Sequence, residues 1–535
     1  MAGNATQAVY EAQVRDPEPA GTGPTPHRTA GRQRQTSGTR RLQVPKAAKI
    51  GSLPRKVSGA YYTPDDVVGS LTRWAVRTGS DRLLDPACGD GRFIARHTNS
   101  VGVEQDSAAA QQAADRAGNA LVLHADFFDW AATTTERFDC AVGNPPFIRY
   151  QHFKGKARER ALSVCADLGV SFSGLTSSWA PFLVAAASLL RPGGRMAFVV
   201  PAEIGHAPYA APLLEYLVRQ FAVVHIIAVR TKLFPDLSED CWLLYADRFG
   251  ERTTEIQFTA LDRLYPSLAP PHPDLRVPLG EWRTVWRRRL RPLLMPWLAR
   301  RLYEQVFARP DTKRFGELAS IGIGYVSGGN DFFHLRPSEA TELGLPPSFL
   351  RPTVRNGRLL ISSRLTSAIV QQWQRANEPM LLLSIPREFR ELPQSVHRYV
   401  ESEQGHRVRN GYKCRNREPW YSVPDVHVPD FFLTYLSGRS ANLVRNDAGI
   451  TCTNALHYVR LKDHASRRRV TEAWRSPFTQ LSCEIEGHPL GGGVLKLEPR
   501  EASAVLMPPL SALSIADNRN IADAVGRMQS WRHYC

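Results

Sequence analysis

The residues Asn144-Pro145-Pro146-Phe147 follow an apolar segment and combine an amide, a rigid corner and an aromatic ring. Proline has no N–H and a fixed φ angle, so two in a row form a stiff turn with outward-facing carbonyls. The Asn144 side-chain oxygen and the Pro145 carbonyl can together accept both hydrogens of a planar amino group, which would aim the nitrogen lone pair at an electrophile. Phe147 offers a face for stacking a substrate ring. On its own, the motif fits a proline-rich turn with a core phenylalanine equally well.

A second group of residues indicates a pocket for an adenosine cofactor without a pyrophosphate. Asp85-Pro-Ala-Cys-Gly-Asp-Gly91 follows an apolar strand, and glycines at 89 and 91 let a ligand approach the backbone closely. No Lys-Ser/Thr pair follows this loop, so it is not a phosphate cradle. Glu104 ends the next strand and can accept hydrogen bonds from both ribose hydroxyls. Asp126 ends the third strand and can accept from an adenine amino group, with Phe127 packing on the ring. S-adenosylmethionine fits, because its sulfonium and amino-acid tail need small residues and carboxylates.

These motifs require a framework that brings strand ends together. From about residue 57 to 250, apolar strands alternate with helices such as DSAAAQQAADRAG and SWAPFLVAAASLL. This alternation predicts an α/β fold with a doubly wound, mainly parallel sheet. Ligands of such sheets bind at the carboxyl ends of the strands, where every motif above falls.

Changes in amino-acid composition along the chain predict four segments. Residues 1–55 are rich in Gly, Pro, Thr and Arg and are expected to form a disordered basic tail. Residues 56–250 are expected to form the domain that carries the motifs above. Residues 251–300 contain a proline cluster and a basic-aromatic run, and are expected to be a linker. Residues 301–535 are expected to form a second, α+β or mostly β domain.

Charge and composition narrow the class of protein. The 535 residues include 68 Lys+Arg and 51 Asp+Glu, a net charge of +17. Residues 1–56 carry a net +7, residues 57–250 a net −2, and residues 251–535 a net +12. A near-neutral block beside a basic one indicates a catalytic module and a module for a polyanion, unless a generally arginine-rich proteome accounts for the excess.

Neither a secretory nor a membrane protein is expected. The longest apolar stretch has twelve residues and no signal peptide is evident, which predicts a cytoplasmic chain without a membrane partner. Eight cysteines without a CxxC pair indicate neither disulfides nor a metal site.

In this order, the motifs resemble gamma-class DNA adenine-N6 methyltransferases of restriction–modification systems. These are class I enzymes dependent on S-adenosylmethionine, with a C-terminal target-recognition domain. The resemblance also covers Tyr61-Tyr-Thr63-Pro64 and Leu233-Phe234-Pro235. It extends, more loosely, to Gly324-Tyr-Val-Ser-Gly-Gly-Asn-Asp-Phe-Phe333, Thr451-Cys-Thr-Asn454 and Gly491-Gly-Gly-Val-Leu-Lys496. The family most often has Tyr at the position of Phe147. Phenylalanine can still stack on a base, but it cannot supply the hydrogen bond of a tyrosine hydroxyl.

The resemblance implies a role for each motif residue. Thr63 would hold the methionine carboxylate, and the tail pocket would be shaped by Asp85, Ala87, Gly89 and Gly91. Glu104 would bind the ribose, and the cofactor adenine would be held by Asp126, Phe127 and Pro146. Asn144 and Pro145 would activate the target amine of a base flipped out of duplex DNA, and Phe147 and Phe234 would sandwich that base.

The implied macromolecular partner is double-stranded DNA. Basic residues suited to contact it are Arg149, Lys154, Arg287, Arg409, Lys413 and Arg415. The chain is expected to be monomeric, and a separate cognate restriction endonuclease as a second partner stays open.

Several alternatives also stay open. Cytosine-N4, RNA guanine-N2 and protein glutamine-N5 methyltransferases use the same kind of Asn-Pro-Pro-aromatic turn. The large basic C-terminal half argues against a protein substrate. A non-catalytic DNA-binding specificity subunit is the alternative from another class.

Overall fold

The computed structural model describes residues 62–534, except residues 236, 238, 390 and 491. The predicted tail, residues 1–55, and Tyr61 lie outside the described residues. The first described helix, Asp65–Ala75, begins after Pro64 and has two acidic residues in its first turn, where they complement the helix dipole. Val67, Val68, Leu71 and Trp74 recur at helical spacing and are buried, so the helix packs one apolar face on the sheet.

In the described part of the chain, the largest sheet has nine strands in the order β3-β2-β1-β4-β5-β7-β6-β8-β9. The strands are β1 Leu83–Asp85, β2 Ser100–Glu104, β3 Leu121–His124, β4 Phe138–Gly143, β5 Leu190–Pro201, β6 Phe221–Val229, β7 Cys241–Phe249, β8 Glu255–Leu261 and β9 Leu275–Pro278. The further helices of this half are Ser107–Arg116, Phe127–Ala131, Gly155–Asp167, Trp179–Ser188 and Ala210–Gln220.

The predicted doubly wound, mainly parallel sheet is confirmed. Strands β1 to β5 pair in parallel, and β7 runs antiparallel to both β5 and β6. Helix Asp65–Ala75 packs on one face of the sheet, and helices Trp179–Ser188 and Ala210–Gln220 pack on the other. Each face has one hydrophobic cluster. The carboxyl ends of β1, β2 and β4 therefore meet at one edge, as such an arrangement requires.

The segment 251–300, predicted as a linker, instead extends this sheet. Strand β8 pairs in parallel with β6, and β9 pairs antiparallel with β8. Ile256 and Phe258 of β8 are fully buried. The proline cluster lies in the loop that joins β8 to β9. Because these two strands pair in the same sheet, the prolines do not mark a domain boundary.

The C-terminal part mixes small sheets and helices, as the α+β prediction expected. Its sheets have the orders β11-β20-β16-β18-β14, β12-β15-β13-β19, β17-β22-β21 and β10-β23. The strands are β10 Lys313–Arg314, β11 Ala319–Ile323, β12 His334–Leu335, β13 Leu350–Val354, β14 Arg364–Leu365, β15 Leu381–Leu383, β16 Phe431–Thr434, β17 Leu436–Ser437, β18 Leu443–Asn446, β19 Thr451–Cys452, β20 Leu456–Leu461, β21 His488–Leu490, β22 Val494–Lys496 and β23 Leu506–Met507. The helices are Leu279–Thr284, Trp297–Phe307, Phe315–Leu318, Asn330–Phe333, Pro337–Glu342, Ser367–Arg375, Gln394–Val400, Glu403–Arg409, Tyr412–Arg415, Arg467–Trp474, Pro477–Glu486, Pro499–Ala504 and Ile515–Ser530.

Three of these helices join the C-terminal part to the large sheet. Helices Trp297–Phe307, Pro477–Glu486 and Ile515–Ser530 contribute side chains to the same hydrophobic cluster as one face of that sheet. A buried ion pair lies beside them, in which Arg532 donates to Glu484 at 2.7 Å and the two side chains are 1% and 2% exposed. The hydrophobic core on this face of the large sheet is thus continuous with the C-terminal part. Among the described residues, no helix combines the length and apolar character needed to cross a bilayer.

Candidate active site

A cavity of about 170 Å³ opens at the carboxyl ends of β1, β2 and β4. It brings together seven of the residues predicted for the cofactor or for the reacting amine, which are Ala87, Gly89, Glu104, Asp126, Phe127, Asn144 and Pro146. Sequence reasoning missed its other lining residues, which are Tyr62, Pro86, Val103, Gln105, Ala125, Ile148 and Phe182. Most of these are immediate neighbours of a motif residue, so chain adjacency alone could have found them.

Glu104 is fixed at the cavity wall by two backbone groups. Its Oε2 accepts from the N–H of Gly89 at 2.9 Å, and its Oε1 accepts from the N–H of Asp106 at 2.8 Å. A carboxylate oxygen has two lone-pair sites, so each oxygen keeps acceptor capacity toward the cavity. Gly89 has a φ of 54°, and a Cβ there would meet no atom within 4 Å, so its open side faces the cavity.

Asp85 is a buried carboxylate beneath the same cavity. Asp85 is only 1% exposed, and its Oδ2 has no hydrogen-bond partner among the described residues. Burial, with Glu104 and Asp90 nearby, raises the pKa of Asp85 to about 8. A Cβ on Gly143 would lie 2.7 Å from Asp85 Oδ1, so the backbone entering the Asn-Pro-Pro-Phe turn passes directly over this carboxylate.

Asp126 has a structural task besides any binding role. Its Oδ1 accepts from the N–H groups of Phe128 at 2.9 Å and of Asp129 at 3.1 Å, which caps helix Phe127–Ala131. Phe127 stacks on Phe182, with ring centroids 5.3 Å apart and an interplanar angle of 13°. The cavity thus has one aromatic wall.

The Asn-Pro-Pro-Phe turn is clamped by a serine that the sequence did not single out. The Ser178 hydroxyl donates to the carbonyl of Pro146 and accepts from the N–H of Ile148 at 2.9 Å. The N–H of Ser178 also donates to the Ile148 carbonyl at 3.0 Å. The Pro146 carbonyl is therefore used within the chain, and three hydrogen bonds to Ser178 fix this end of the turn.

Six residues predicted for the cofactor, the amine or the base are not among those that line the cavity, and they are Thr63, Asp85, Gly91, Pro145, Phe147 and Phe234. Pro145 is buried. Thr63 is buried and its carbonyl accepts from Arg92. A Cβ on Gly91 would lie 2.8 Å from the Cα of Ala113, so Gly91 serves helix packing. Phe147 is half-buried and packs against both clusters of the sheet. Phe234 is only 6% exposed within one of them, so stacking on a base would require its loop to move.

The basic candidates fall into two groups. Arg287 pairs with Glu486 at 3.1 Å and Arg149 pairs with Glu239 at 3.1 Å, so both cations have partners within the chain. Lys154 and Arg409 are exposed. Lys413 and Arg415 are exposed too, and each places its charge over the ring of Tyr412, which is itself 67% exposed. The three residues line one end of a groove in the C-terminal part.

Two other chemistries find no support in these residues. Cys88, in the glycine loop, packs its Sγ against Gly102, and burial raises its pKa, which disfavours the thiolate. No cluster of three or more metal-ligating side chains occurs within the described residues.

Comparison with known proteins assigns the chain to a family. Residues 93–234 match the family described as Eco57I restriction-modification methylase. Residues 290–533 match the family described as Type II methyltransferase M.Eco57I, C-terminal domain.

Three relatives show how far the similarity extends. Type II methyltransferase M.AccI of Acinetobacter calcoaceticus is 20% identical over 86% of this chain and 87% of its own length. Type II methyltransferase M.XamI of Xanthomonas campestris pv. amaranthicola is 23% identical over 85% and 86%. A tRNA1(Val) (adenine(37)-N6)-methyltransferase of Actinobacillus succinogenes is 34% identical, over 29% of this chain and 66% of its own. With its class I sheet and both family regions in order, this chain belongs to the Eco57I type of restriction–modification methylases.

Proposed function

We propose that this chain transfers a methyl group from S-adenosylmethionine to N6 of an adenine flipped out of duplex DNA. One observation carries the proposal: Asn144 and Pro146 of the catalytic turn line the same cavity as Gly89, Glu104 and Asp126 of the cofactor motifs. An amine held by the turn would therefore lie next to a methyl donor bound by those motifs. The similarity to type II methyltransferases over most of the chain supports duplex DNA as the substrate.

The residues of the cavity fit the cofactor group by group. S-adenosylmethionine, when bound, supplies an electrophilic methyl group on a sulfonium. Glu104 would accept from the ribose hydroxyls on the lone pairs that Gly89 and Asp106 leave. Asp85, whose buried Oδ2 lacks a partner within the described part of the chain, would face the cationic amino-acid end. Asp126 and the Phe127–Phe182 pair would hold the adenine ring.

The turn then performs the acceptor half of the reaction. The Asn144 side-chain oxygen and the Pro145 carbonyl would accept the two N6 hydrogens, which pulls the amine away from conjugation with the ring and frees its lone pair for attack. Ser178 holds this geometry by fixing Pro146 and Ile148. Phe147, and Phe234 after its loop moves, would stack on the base and repay part of the few kcal/mol that unstacking costs.

The experiment offers duplex DNA, RNA and protein to the full chain with cofactor labelled in its methyl group. Label in DNA, recovered as N6-methyladenine and lost in an Asn144→Ala variant, is the expected result. Label only in RNA or protein would overturn the DNA assignment; the RNA arm is included because a tRNA methyltransferase matches part of the chain. No transfer at all would favour a binding subunit.

A further inference from the structure

Two adjacent carboxylates, Glu239 and Asp240, lie where the large sheet meets the C-terminal part. They directly precede β7, which lies between β5 and β6 in the sheet. Both line a cavity of about 290 Å³, together with Arg149 from the segment after the catalytic turn and Trp531 from the C-terminal part. Each carboxylate contacts a different one of these two segments, so the pair connects them.

Glu239 holds the segment that follows the catalytic turn. Its Oε1 accepts from Nε of Arg149 at 3.1 Å, and Arg149 lies only two residues beyond Phe147. The Arg149 carbonyl accepts from the N–H groups of His152 at 2.8 Å and Phe153 at 2.9 Å. Both the side chain and the backbone of Arg149 are therefore fixed. A shift of Glu239 would be passed to Arg149 and, through two peptide units, to Phe147.

Asp240 holds the C-terminal part. Its Oδ1 lies 2.8 Å from Nε2 of His533, which donates to the carboxylate. The backbone carbonyl of Asp240 accepts from the N–H of Ala202 at 2.8 Å, directly after the end of β5. Because Asp240 is anchored to the sheet in this way, its contact with His533 joins the C-terminal part to the same strand ends that carry the catalytic turn.

His533 has an uncommon backbone conformation. Its φ is 59°, in the left-handed region that few residues other than glycine adopt, and such conformations persist only where the surrounding structure determines them. The preceding Arg532 is 1% exposed and donates to Glu484 and to the carbonyl of Gly493. A Cβ on Gly493 would lie 2.9 Å from the His533 carbonyl oxygen, so the loop between β21 and β22 packs closely on this backbone. The packing of the C-terminal part therefore fixes the backbone from which His533 reaches Asp240.

We propose that Glu239 and Asp240 are positioning residues that couple the C-terminal part to the catalytic turn during methyl transfer. The inference rests on the proposed function, because it needs the turn to act on a substrate base. His533 sets the position of Asp240, and the adjacent Glu239 sets that of Arg149 and of the turn before it. A displacement of about 1 Å at the reacting groups can cost about a hundredfold in rate, so the coupling acts on the rate of transfer more than on binding.

The test measures single-turnover methyl transfer by the full chain, with saturating labelled S-adenosylmethionine and a saturating duplex that carries the sequence methylated by wild type. The variants are Glu239→Gln, which breaks the ion pair, and His533→Asn, which is too short to reach Asp240 but tolerates a positive φ. Both single variants and the double variant are compared with wild type. The Kd for the duplex is measured separately by fluorescence anisotropy, and thermal melting verifies that each variant is folded.

Two matched controls change the same residue types elsewhere. Glu255→Gln breaks an ion pair with an arginine at the edge of the sheet where β8 pairs with β9. His464→Asn removes a histidine that lies 3.1 Å from an aspartate within the C-terminal part. Neither control contacts the catalytic turn or the segment that follows it, so a rate loss specific to the coupling should be absent from both.

Each single variant should lower the rate about fivefold to a hundredfold and leave the Kd within about twofold of wild type. The double variant should lose less than the product of the two single losses, because both changes break one connection. Asp240→Asn keeps an acceptor oxygen for His533 and should retain most of the rate. Losses that multiply in the double variant, or that equal those of the controls, would overturn the inference. If wild type transfers no methyl group to any duplex, the proposed function itself fails and the inference fails with it.

Discussion

The backbone N–H of Gly89 donates a 2.9 Å hydrogen bond to Oε2 of Glu104. The glycine loop after β1 and the carboxylate at the end of β2 are thereby fixed to each other. This hydrogen bond links two motifs that lie fifteen residues apart and holds one wall of the cavity.

Replacing Glu104 tests the cofactor side of the cavity. Glu104→Gln keeps the shape but removes the charge and puts an amide donor in place of an acceptor. We expect the affinity for S-adenosylmethionine to fall roughly tenfold to a hundredfold, since hydrogen bonds to charged groups contribute about 1.5–3 kcal/mol. Calorimetric titration measures it. Glu136→Gln, the same change in an ion pair with Arg82 away from the cavity, is the control, and equal losses in both variants would contradict the assignment.

The buried carboxylate of Asp85 predicts a pH-dependent stability. Its pKa is about 8 in the folded chain against 3.8 for the ordinary group, so the folded state binds the proton more tightly. The stabilising contribution is complete below pH 4 and is lost progressively as the pH rises toward 8. Asp85→Asn does not titrate, so the melting temperature of the variant minus that of wild type should grow from pH 5 to pH 8 and then level off.

Adding S-adenosylmethionine should act in the opposite direction and favour wild type over Asp85→Asn. Because S-adenosylmethionine brings a cation to the carboxylate, saturating cofactor should raise the melting temperature of wild type more than that of Asp85→Asn. A melting difference that stays flat with pH, together with equal gains from the cofactor, would contradict this role for Asp85.

Phe147 is expected to act through its ring face. Phe147→Tyr keeps the ring and should leave kcat/KM near that of wild type. Phe147→Leu keeps most of the packing but removes the stacking, and should lower kcat/KM on duplex DNA roughly fivefold to hundredfold, from about 1–3 kcal/mol per stacked base. Steady-state kinetics on one duplex decides this. Equal activity of the Leu and Tyr variants would mean that the ring does not stack on the substrate.

The cationic cluster around Tyr412 should dominate the salt dependence of DNA binding. Lys413→Ala with Arg415→Ala should reduce the slope of log K against log salt by about one for each phosphate that the two cations neutralise. Arg287→Ala should leave the slope unchanged, because Glu486 already pairs with Arg287. Binding isotherms at several salt concentrations measure the slopes. The assignment fails if Arg287→Ala changes the slope and the double variant does not.

Local pattern was enough to predict the parallel sheet and seven of the residues that line the cavity at the carboxyl ends of its strands. Strand ends, glycine loops and the two-proline corner are encoded within a few residues, and parallel strands place their carboxyl ends together. Interactions between distant segments leave no such local pattern. Ser178 clamps Pro146 from 32 residues away, and Arg287 pairs with Glu486 across 199. The prolines before β9 suggested a linker, but they lie in a loop between two paired strands. A linker and a loop within a sheet have similar composition, so composition alone could not distinguish them.

Methylation-sensitive sequencing of DNA from cells that express the chain tests the central claim most directly, because it reports the modified base and its sequence context together. N6-methyladenine at one defined sequence, absent from cells expressing the Asn144→Ala variant, is the predicted result. Modified cytosine, or DNA without any new modification while the protein is present and folded, would contradict the account.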